Sequence, residues 1–259
     1  MRNDRKSIEE RQARILQAVR KRGEVKAEEL AQLCGVSLMT VRRDLTALDR
    51  EHLLARTHGG AVSMEYAHQK LSRDDWVSYC RECISRYAAR FLENDETIFI
   101  NGSRTALDVL KFAGDKRLTV YTNNCAAIGM QLPENVSLRL TGGEVRNHVM
   151  VGEYVMRNLL VLQADRTMMG CAAVYDDGEF RYDIPTEIGI NELLLSRTRK
   201  SVYILADHTK LQKREEKRRA YGSVSYDSPV ILITDDHADG KILERLEKNG
   251  TKVLIVPTG

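Results

Sequence analysis

The chain has 259 residues, 42% of them hydrophobic, with 40 basic against 37 acidic side chains and a formal net charge of +3. That length exceeds one small module and suits two domains, and the apolar share is enough to bury a real core. No run of about 18 apolar residues occurs, which excludes a membrane-spanning helix. The charged start MRNDRKSIEERQ also lacks the apolar middle of a signal peptide.

The charge is unevenly placed. Residues 1–62 carry 13 basic and 9 acidic side chains, and the remainder carries 27 and 28. A basic head on a near-neutral body points to an anionic polymer as partner of the head alone. The five cysteines, Cys34, Cys80, Cys83, Cys125 and Cys171, are odd in number and scattered. They suit reduced thiols in a cytoplasm. Cys80-x-x-Cys83 has no second pair or nearby histidine to complete a zinc set. No metal and no cofactor are expected.

In chain order, Ser7 is placed to cap a helix over IEERQARILQAVRKR, which Gly23 closes. AEELAQLCG reads as a second helix ending at Gly35, and SLMTVRRDLTALDRE as a third, capped by Ser37. At about 100° per residue, Leu38, Val41, Leu45 and Leu48 share one narrow arc. Met39, Thr40, Arg43 and Arg50 face the other way, with Arg42 on the flank. Two short helices joined by a tight glycine-containing turn make a helix-turn-helix, whose second helix enters the major groove. HLLARTHGGAV then reads as a hairpin wing, with Gly59-Gly60 for the turn and Arg56 and His58 at the tip. Double-stranded DNA is the expected partner. Arg43 and Thr40 are candidates for base edges, and Arg42 and Arg56 for phosphates. Ser37, Met39 and His58 complete the expected surface, while Asp44 orients a neighbouring arginine.

This head, from RQARILQAV to THGGAV, resembles the N-terminal winged helix-turn-helix of the DeoR family of bacterial transcription regulators. The S-x-x-T-V-R-R-D-L run and the trailing R-T-H-G-G-A carry the resemblance.

Residues 63–78, SMEYAHQKLSRDDWVS, show no clear period and read as a polar linker, followed by a helix over roughly 79–93. Seven β-like runs follow: TIFI, LTVY, VSLRL, RTMM, SVYIL, VILIT and KVLIV. Separated by amphipathic stretches, they imply an α/β domain with a mainly parallel sheet covered on both faces. Polar clusters sit at the carboxyl ends of five runs: NGSRT, TNN, TGGEVR, GCAAV with Gly170, and DHTK. In parallel sheets that edge binds ligands. Gly102 lets backbone approach closely, and Ser103 and Thr105 offer hydroxyls beside the first N–H groups of a helix. Arg104, Arg146 and Lys210 can neutralise an anion, and Asn123, Asn124, Asp183 and Glu187 can address sugar hydroxyls. A phosphorylated small molecule is expected.

The body also resembles the DeoR family, whose C-terminal sensor shares its fold with ribose-5-phosphate isomerase and related sugar-phosphate enzymes. That family's acidic-Gly-Thr-Thr type loop corresponds to Asn101-Gly102-Ser103-Arg104-Thr105. Its further patterns fall on Thr122-Asn123, on Gly142, Gly143, Glu144 and Arg146, on Asp207 to Lys210, and on the pair Asp183 and Glu187. The resemblance implies that these residues bind a phosphorylated sugar. Three positions depart from the pattern: Asn101 stands for an aspartate, Arg104 for a small residue and Asn191 for a basic one. Arg104 has two readings, a bidentate phosphate contact or a side chain folded into the cradle in the ligand's place.

The expectation is a cytoplasmic, sequence-specific DNA-binding regulator. Residues 1–62 form the winged helix-turn-helix, 63–78 the linker, and 79–259 an α/β, sugar-phosphate isomerase-like sensor. It would repress a carbohydrate operon until a phosphorylated sugar relieves it. A homo-oligomer, dimer or tetramer, is expected because two-fold operators need two heads. Two alternatives stand beside this. One is a sugar-phosphate isomerase with a DNA-binding appendage, for which Asp183, Glu187 and Asp207 are the available acids; the related isomerases' acidic loop is absent where GCAAV stands. The other is a DNA-binding protein that no longer responds to ligand, which Arg104 keeps open.

Overall fold

A computed structural model describes residues 2–50, 53–57, 59–64, 66, 73–182, 184–214 and 230–258. The chain forms two compact units, one of residues 1–76 with 258–259 and one of residues 77–257.

The first unit holds α1 (Arg2–Arg22), β1 (Glu24–Lys26), α2 (Ala27–Cys34), α3 (Leu38–Arg50), β2 (Ala55–Arg56) and β3 (Gly60–Val62). Ile15, Val19, Leu30, Val41, Leu45, Leu48 and Leu54 are each at most 2% exposed and form its core. The apolar arc of α3 is thus turned inward, as its spacing requires. Helix α1 begins at Arg2, so Ser7 lies inside it and is no cap. Gly23 stops α1 at φ +77°, and Gly35 stops α2 at φ +65°, a region that favours glycine. Strand β1 has only three residues and no periodic signal; it completes an antiparallel sheet of order β1-β3-β2. That pairing explains Gly60. A Cβ there would lie 2.1 Å from the Val25 carbonyl oxygen, so β1 demands the glycine as much as the turn does.

The second unit begins in α4 (Arg73–Ala88), which starts inside the stretch read as linker. Asp74 and Asp75 in its first turn complement the helix dipole there. Next come β4 (Glu96–Ile100), α5 (Arg104–Asp108), β5 (Leu118–Thr122), β6 (Val136–Leu140), β7 (Glu144–Arg146), β8 (Val149–Val151) and α6 (Glu153–Val161). They are followed by β9 (Ala164–Met169), β10 (Ala173–Tyr175), β11 (Phe180–Arg181), α7 (Pro185–Ser196) and β12 (Thr198–Leu205). The unit ends with β13 (Leu211–Gln212), β14 (Val230–Asp235), α8 (Gly240–Lys248) and β15 (Lys252–Val256).

The seven apolar runs are the seven strands of one parallel sheet, ordered β15-β14-β12-β9-β4-β5-β6. Alternation along each strand feeds two cores. Phe99, Met169, Val202, Ile204 and Leu232 pack with α6, α7 and α8, while Ile98, Ile100, Met168, Tyr203 and Leu205 pack with α4 and α5. Both faces are covered, as a parallel sheet requires. Two small additions lay outside the sequence reading: the β7–β8 hairpin and a three-stranded sheet of order β11-β10-β13. The chain runs outward from β4 through β5 and β6, then returns to β9 and runs the other way. The carboxyl ends of β4 and β9 therefore flank the point where strand order reverses, the usual crevice for a ligand.

Candidate functional site

In the first unit, the N-terminal part of α3 and the wing form an exposed polar face. Ser37 Oγ accepts from the Thr40 N–H at 3.2 Å, which caps α3, and lies 2.9 Å from Thr40 Oγ1. Ser37, Met39, Arg42, Arg43 and Arg56 are exposed, and Thr40 is half-buried. Among the described residues, Arg42 and Arg43 make no ion pair. Arg56 donates from Nη1 to Thr46 Oγ1 at 2.9 Å and from its backbone N–H to Asp49 Oδ1 at 3.2 Å, which ties the wing to α3. His58 lies outside the described residues. Asp44 departs from expectation. It is 4% exposed and binds Arg11 of α1, Nε to Oδ2 at 2.5 Å, instead of an arginine beside it on α3. Its position is on the inward arc, where α1 is the only element that brings it a cation among the described residues.

In the second unit, a cavity of about 360 Å³ opens at the carboxyl ends of β4, β9 and β12. Asn101, Gly102, Ser103, Arg104 and Thr105 line it from the loop after β4, and Gly170, Cys171 and Ala172 from the loop after β9. Tyr182 and Ile184 come from the segment leading into α7, Glu187 from its first turn, Asp207 and Lys210 from the loop after β12, and Arg81 from α4. Asn147 and Val149 close the remaining side.

Asn101 stitches the two central loops together. Its amide donates to the Gly170 carbonyl at 2.9 Å and accepts from the Gly170 N–H at 3.0 Å and the Ser103 N–H at 3.2 Å. It also donates to Asn191 Oδ1 at 3.1 Å, so two of the departures from the family pattern meet in one buried contact. Packing there leaves no room for side chains. A Cβ on Gly170 would lie 2.1 Å from Ser103 Oγ, and one on Gly102 2.9 Å from Val149 Cγ2. Ser103 caps α5 by accepting from the Ala106 N–H at 3.3 Å.

Several expected ligand contacts instead support the walls. Asn124 donates to the Gly102 carbonyl at 3.0 Å, Thr122 Oγ1 accepts from the Asn124 N–H at 3.0 Å, and Asn123 donates to the Met150 carbonyl at 3.2 Å. All three are buried and none lines the cavity. Gly142 and Gly143, at φ +71° and +110°, turn the chain into β7. There Glu144 and Arg146 pair with each other at 3.0 and 3.1 Å, both exposed and away from the cavity lining. Arg146 meets its counter-ion two residues away, so nothing draws it inward. Asp183 lies outside the described residues. Arg104 is corrected in one respect: it is not folded into the cradle. Its Nε is 3.0 Å from Asp108 Oδ1, one helical turn on, and its side chain is 66% exposed.

The charge pattern is set by Asp207, Glu187 and Lys210. Burial alone would raise Asp207, but hydrogen bonds from Thr209 and Arg81 hold it below the usual carboxylate range. The Arg81 contact is 2.7 Å. Glu187 has no such donors, and burial pushes it up. Burial also pushes the Cys171 thiol up to about 12, so it is a thiol and not a thiolate at neutral pH. Among the described residues the Lys210 ammonium has no ion pair. The cavity thus offers a free cation, a carboxyl group poor in donors, and hydroxyls from Ser103, Thr105 and Tyr182. Arg81, Tyr182 and Ile184 had no sequence signal, while Cys171 lies in the GCAAV loop expected at this edge but was not singled out within it.

Away from the cavity lining, donor atoms of Cys80, His208 and Asp235 lie within 4.8 Å of one another. The sequence showed no histidine near Cys80; the fold supplies one. Asp235 is already engaged, accepting from the N–H groups of His208 at 2.8 Å and His237 at 3.1 Å, with His208 Nδ1 at 2.9 Å. No helix among the described residues is long and apolar enough to cross a membrane.

Residues 11–67 match the family model of the DeoR-like helix-turn-helix domain, and residues 79–236 that of the DeoR C terminal sensor domain. The chain belongs to the DeoR family. As a DeoR-family protein it is a transcriptional regulator that binds DNA through its helix-turn-helix. It is 28% identical over 256 residues to the uncharacterized HTH-type transcriptional regulator YulB of Bacillus subtilis, across 96% of this chain and 97% of that one. It is likewise 28% identical over 251 residues to the glycerol-3-phosphate regulon repressor of Haemophilus influenzae, across 95% and 96%. Among solved structures, ribose 5-phosphate isomerase A of Methanocaldococcus jannaschii aligns with a TM-score of 0.40 and 14% identity, over 56% of this chain and 58% of that one.

Proposed function

We propose that this DeoR-family regulator represses a carbohydrate operon and releases DNA when a phosphorylated sugar enters the cavity. The observation that carries the reading is the Lys210 ammonium, without an ion pair among the described residues, in a polar cavity at the strand-order reversal. An anionic group satisfies that cation, and sugar hydroxyls suit Glu187, Tyr182 and Ser103. The names of two relatives, repressors of a glycerol-3-phosphate regulon and of a lactose phosphotransferase system, support a phosphorylated carbohydrate as signal. In this reading residues 1–62 bind DNA, 79–259 sense the effector, and the protein works in the cytoplasm as a homo-oligomer with two heads on a two-fold operator. Half-buried Thr40 and exposed Arg43 read base edges in the major groove, and Arg42 and Arg56 hold phosphates.

The isomerase alternative needs a base free to take a proton from carbon. Asp207 is bound to Arg81 and Thr209, which favours a structural role for it and leaves Glu187 as the candidate among the described residues. The reading is tested by titrating a protein–operator complex with sugar phosphates while assaying the same mixtures for isomerised product. Release of DNA without turnover is expected. Turnover without release contradicts it.

A further inference from the structure

The least explained atom of the cavity belongs to Tyr182. This residue is 5% exposed and lines the cavity, and its phenol oxygen is shielded from solvent, with no hydrogen-bond partner among the described residues. Its ring is accounted for: it packs edge-on against Phe180, with centroids 5.4 Å apart at 84°. Phenylalanine would make that contact equally well. The hydroxyl is therefore not needed for packing, and left unpaired it costs the fold stability.

Its surroundings suggest what it waits for. Cys171, Glu187 and Glu192 are close enough to act electrostatically on the phenol, and of the two acids only Glu187 lines the cavity. Glu187 is half-buried, and its carboxyl group makes no hydrogen bond or ion pair among the described residues. Cys171 in turn feels Lys210. A hydroxyl is a compact group that can accept from the phenol and donate to the Glu187 carboxylate at once.

We propose that Tyr182 is a specificity-determining residue, donating its phenol proton to an effector hydroxyl that in turn donates to Glu187. The effector class that follows is a polyol carrying one anionic group for Lys210 and at least one hydroxyl remote from it. This rests on the sugar-phosphate reading above. A second anionic group placed beside Glu187 is disfavoured by charge repulsion in a half-buried site.

The experiment is calorimetry on wild type and Tyr182→Phe with triose, pentose and hexose phosphates, each beside its deoxy analogues, together with melting curves of both proteins without ligand. Wild type is expected to lose about tenfold in affinity when one particular hydroxyl is removed. Tyr182→Phe is expected to bind the parent compound about tenfold less tightly and to show little further loss for that analogue. Its melting point without ligand should equal or exceed that of wild type. A lower melting point with the hydroxyl preference retained would mean that the phenol is structural, and would overturn the proposal. An unchanged preference at an unchanged melting point would overturn it too. If wild type itself binds no compound of the set, the sugar-phosphate reading fails, and this inference fails with it; that outcome shows in wild type alone.

Discussion

The guanidinium of Arg11 on α1 closes on the carboxylate of Asp44 on α3, with Nε–Oδ2 at 2.5 Å and Nη2–Oδ1 at 3.1 Å. Gln12 adds a third donor at 3.4 Å. The carboxylate is nearly inaccessible, its side chain 6% exposed. One ion pair thereby helps set how α3 lies on α1, and with it the direction in which Arg42 and Arg43 project. Asp44→Ala strands the Arg11 cation, and should cost about 3 kcal/mol. Urea denaturation checks the loss, and gel shifts should show weaker binding to every DNA sequence. Unaltered stability would contradict this account of the pair.

Arg43 and Arg56 should differ in kind. Arg43→Ala should lose about 1–3 kcal/mol on the specific site and relax its base preference. Arg56→Ala should weaken binding to all sequences and make its salt dependence shallower. Because Arg56 also bonds Thr46, its loss should loosen the wing slightly, visible as faster hydrogen exchange in β2.

Gly170→Ala tests the close approach of two loops. The added Cβ would lie 2.1 Å from Ser103 Oγ, so the loop after β4 must move. Asn101, which bonds Gly170 through both its N–H and its carbonyl, would be disturbed with it. Effector binding should fall at least tenfold by calorimetry, while DNA binding without effector stays as in wild type.

The sheet was legible in the sequence because each strand is a short apolar run bounded by polar loops, and the carboxyl-edge loops followed from it. The heads of three elements were not. Helix α1 starts ahead of Ser7 because a capping residue permits a start without enforcing one, and α4 starts at Arg73 because its first turns are too polar to show a period. Strand β1 is three residues long. Within the site, Asn101, Gly102, Ser103 and Lys210 were readable from type and position. Arg146 was not, since pairing with Glu144 is decided by local geometry. Tyr182 and Arg81 reach the cavity from elements with no ligand signal of their own.

Glu187 gives a pH signature. Burial raises its pKa in the folded protein above the ordinary 4.5. The folded state then holds this proton more tightly than the unfolded chain does, so the group's penalty is absent below the unfolded value. It grows as pH rises through the interval and is complete above the folded value. Glu187→Gln should therefore stabilise the protein without ligand at about pH 7, and the gain should vanish near pH 4. Melting curves across pH measure it. A gain that grows toward acid would contradict the assignment.

The central claim is that one ligand site governs DNA affinity, and fluorescence anisotropy of labelled operator DNA tests it most directly. Wild type and Lys210→Met are titrated onto the DNA with and without sugar phosphates. A ligand acts only through its differential affinity for the two states, so the coupling is reciprocal and about 5–150-fold. The account predicts that at least one sugar phosphate weakens wild-type binding within that range. It also predicts that Lys210→Met binds DNA normally without ligand but needs far more sugar phosphate for release. Operator affinity that no sugar phosphate changes, or a Lys210→Met protein that responds at the wild-type concentration, would contradict it.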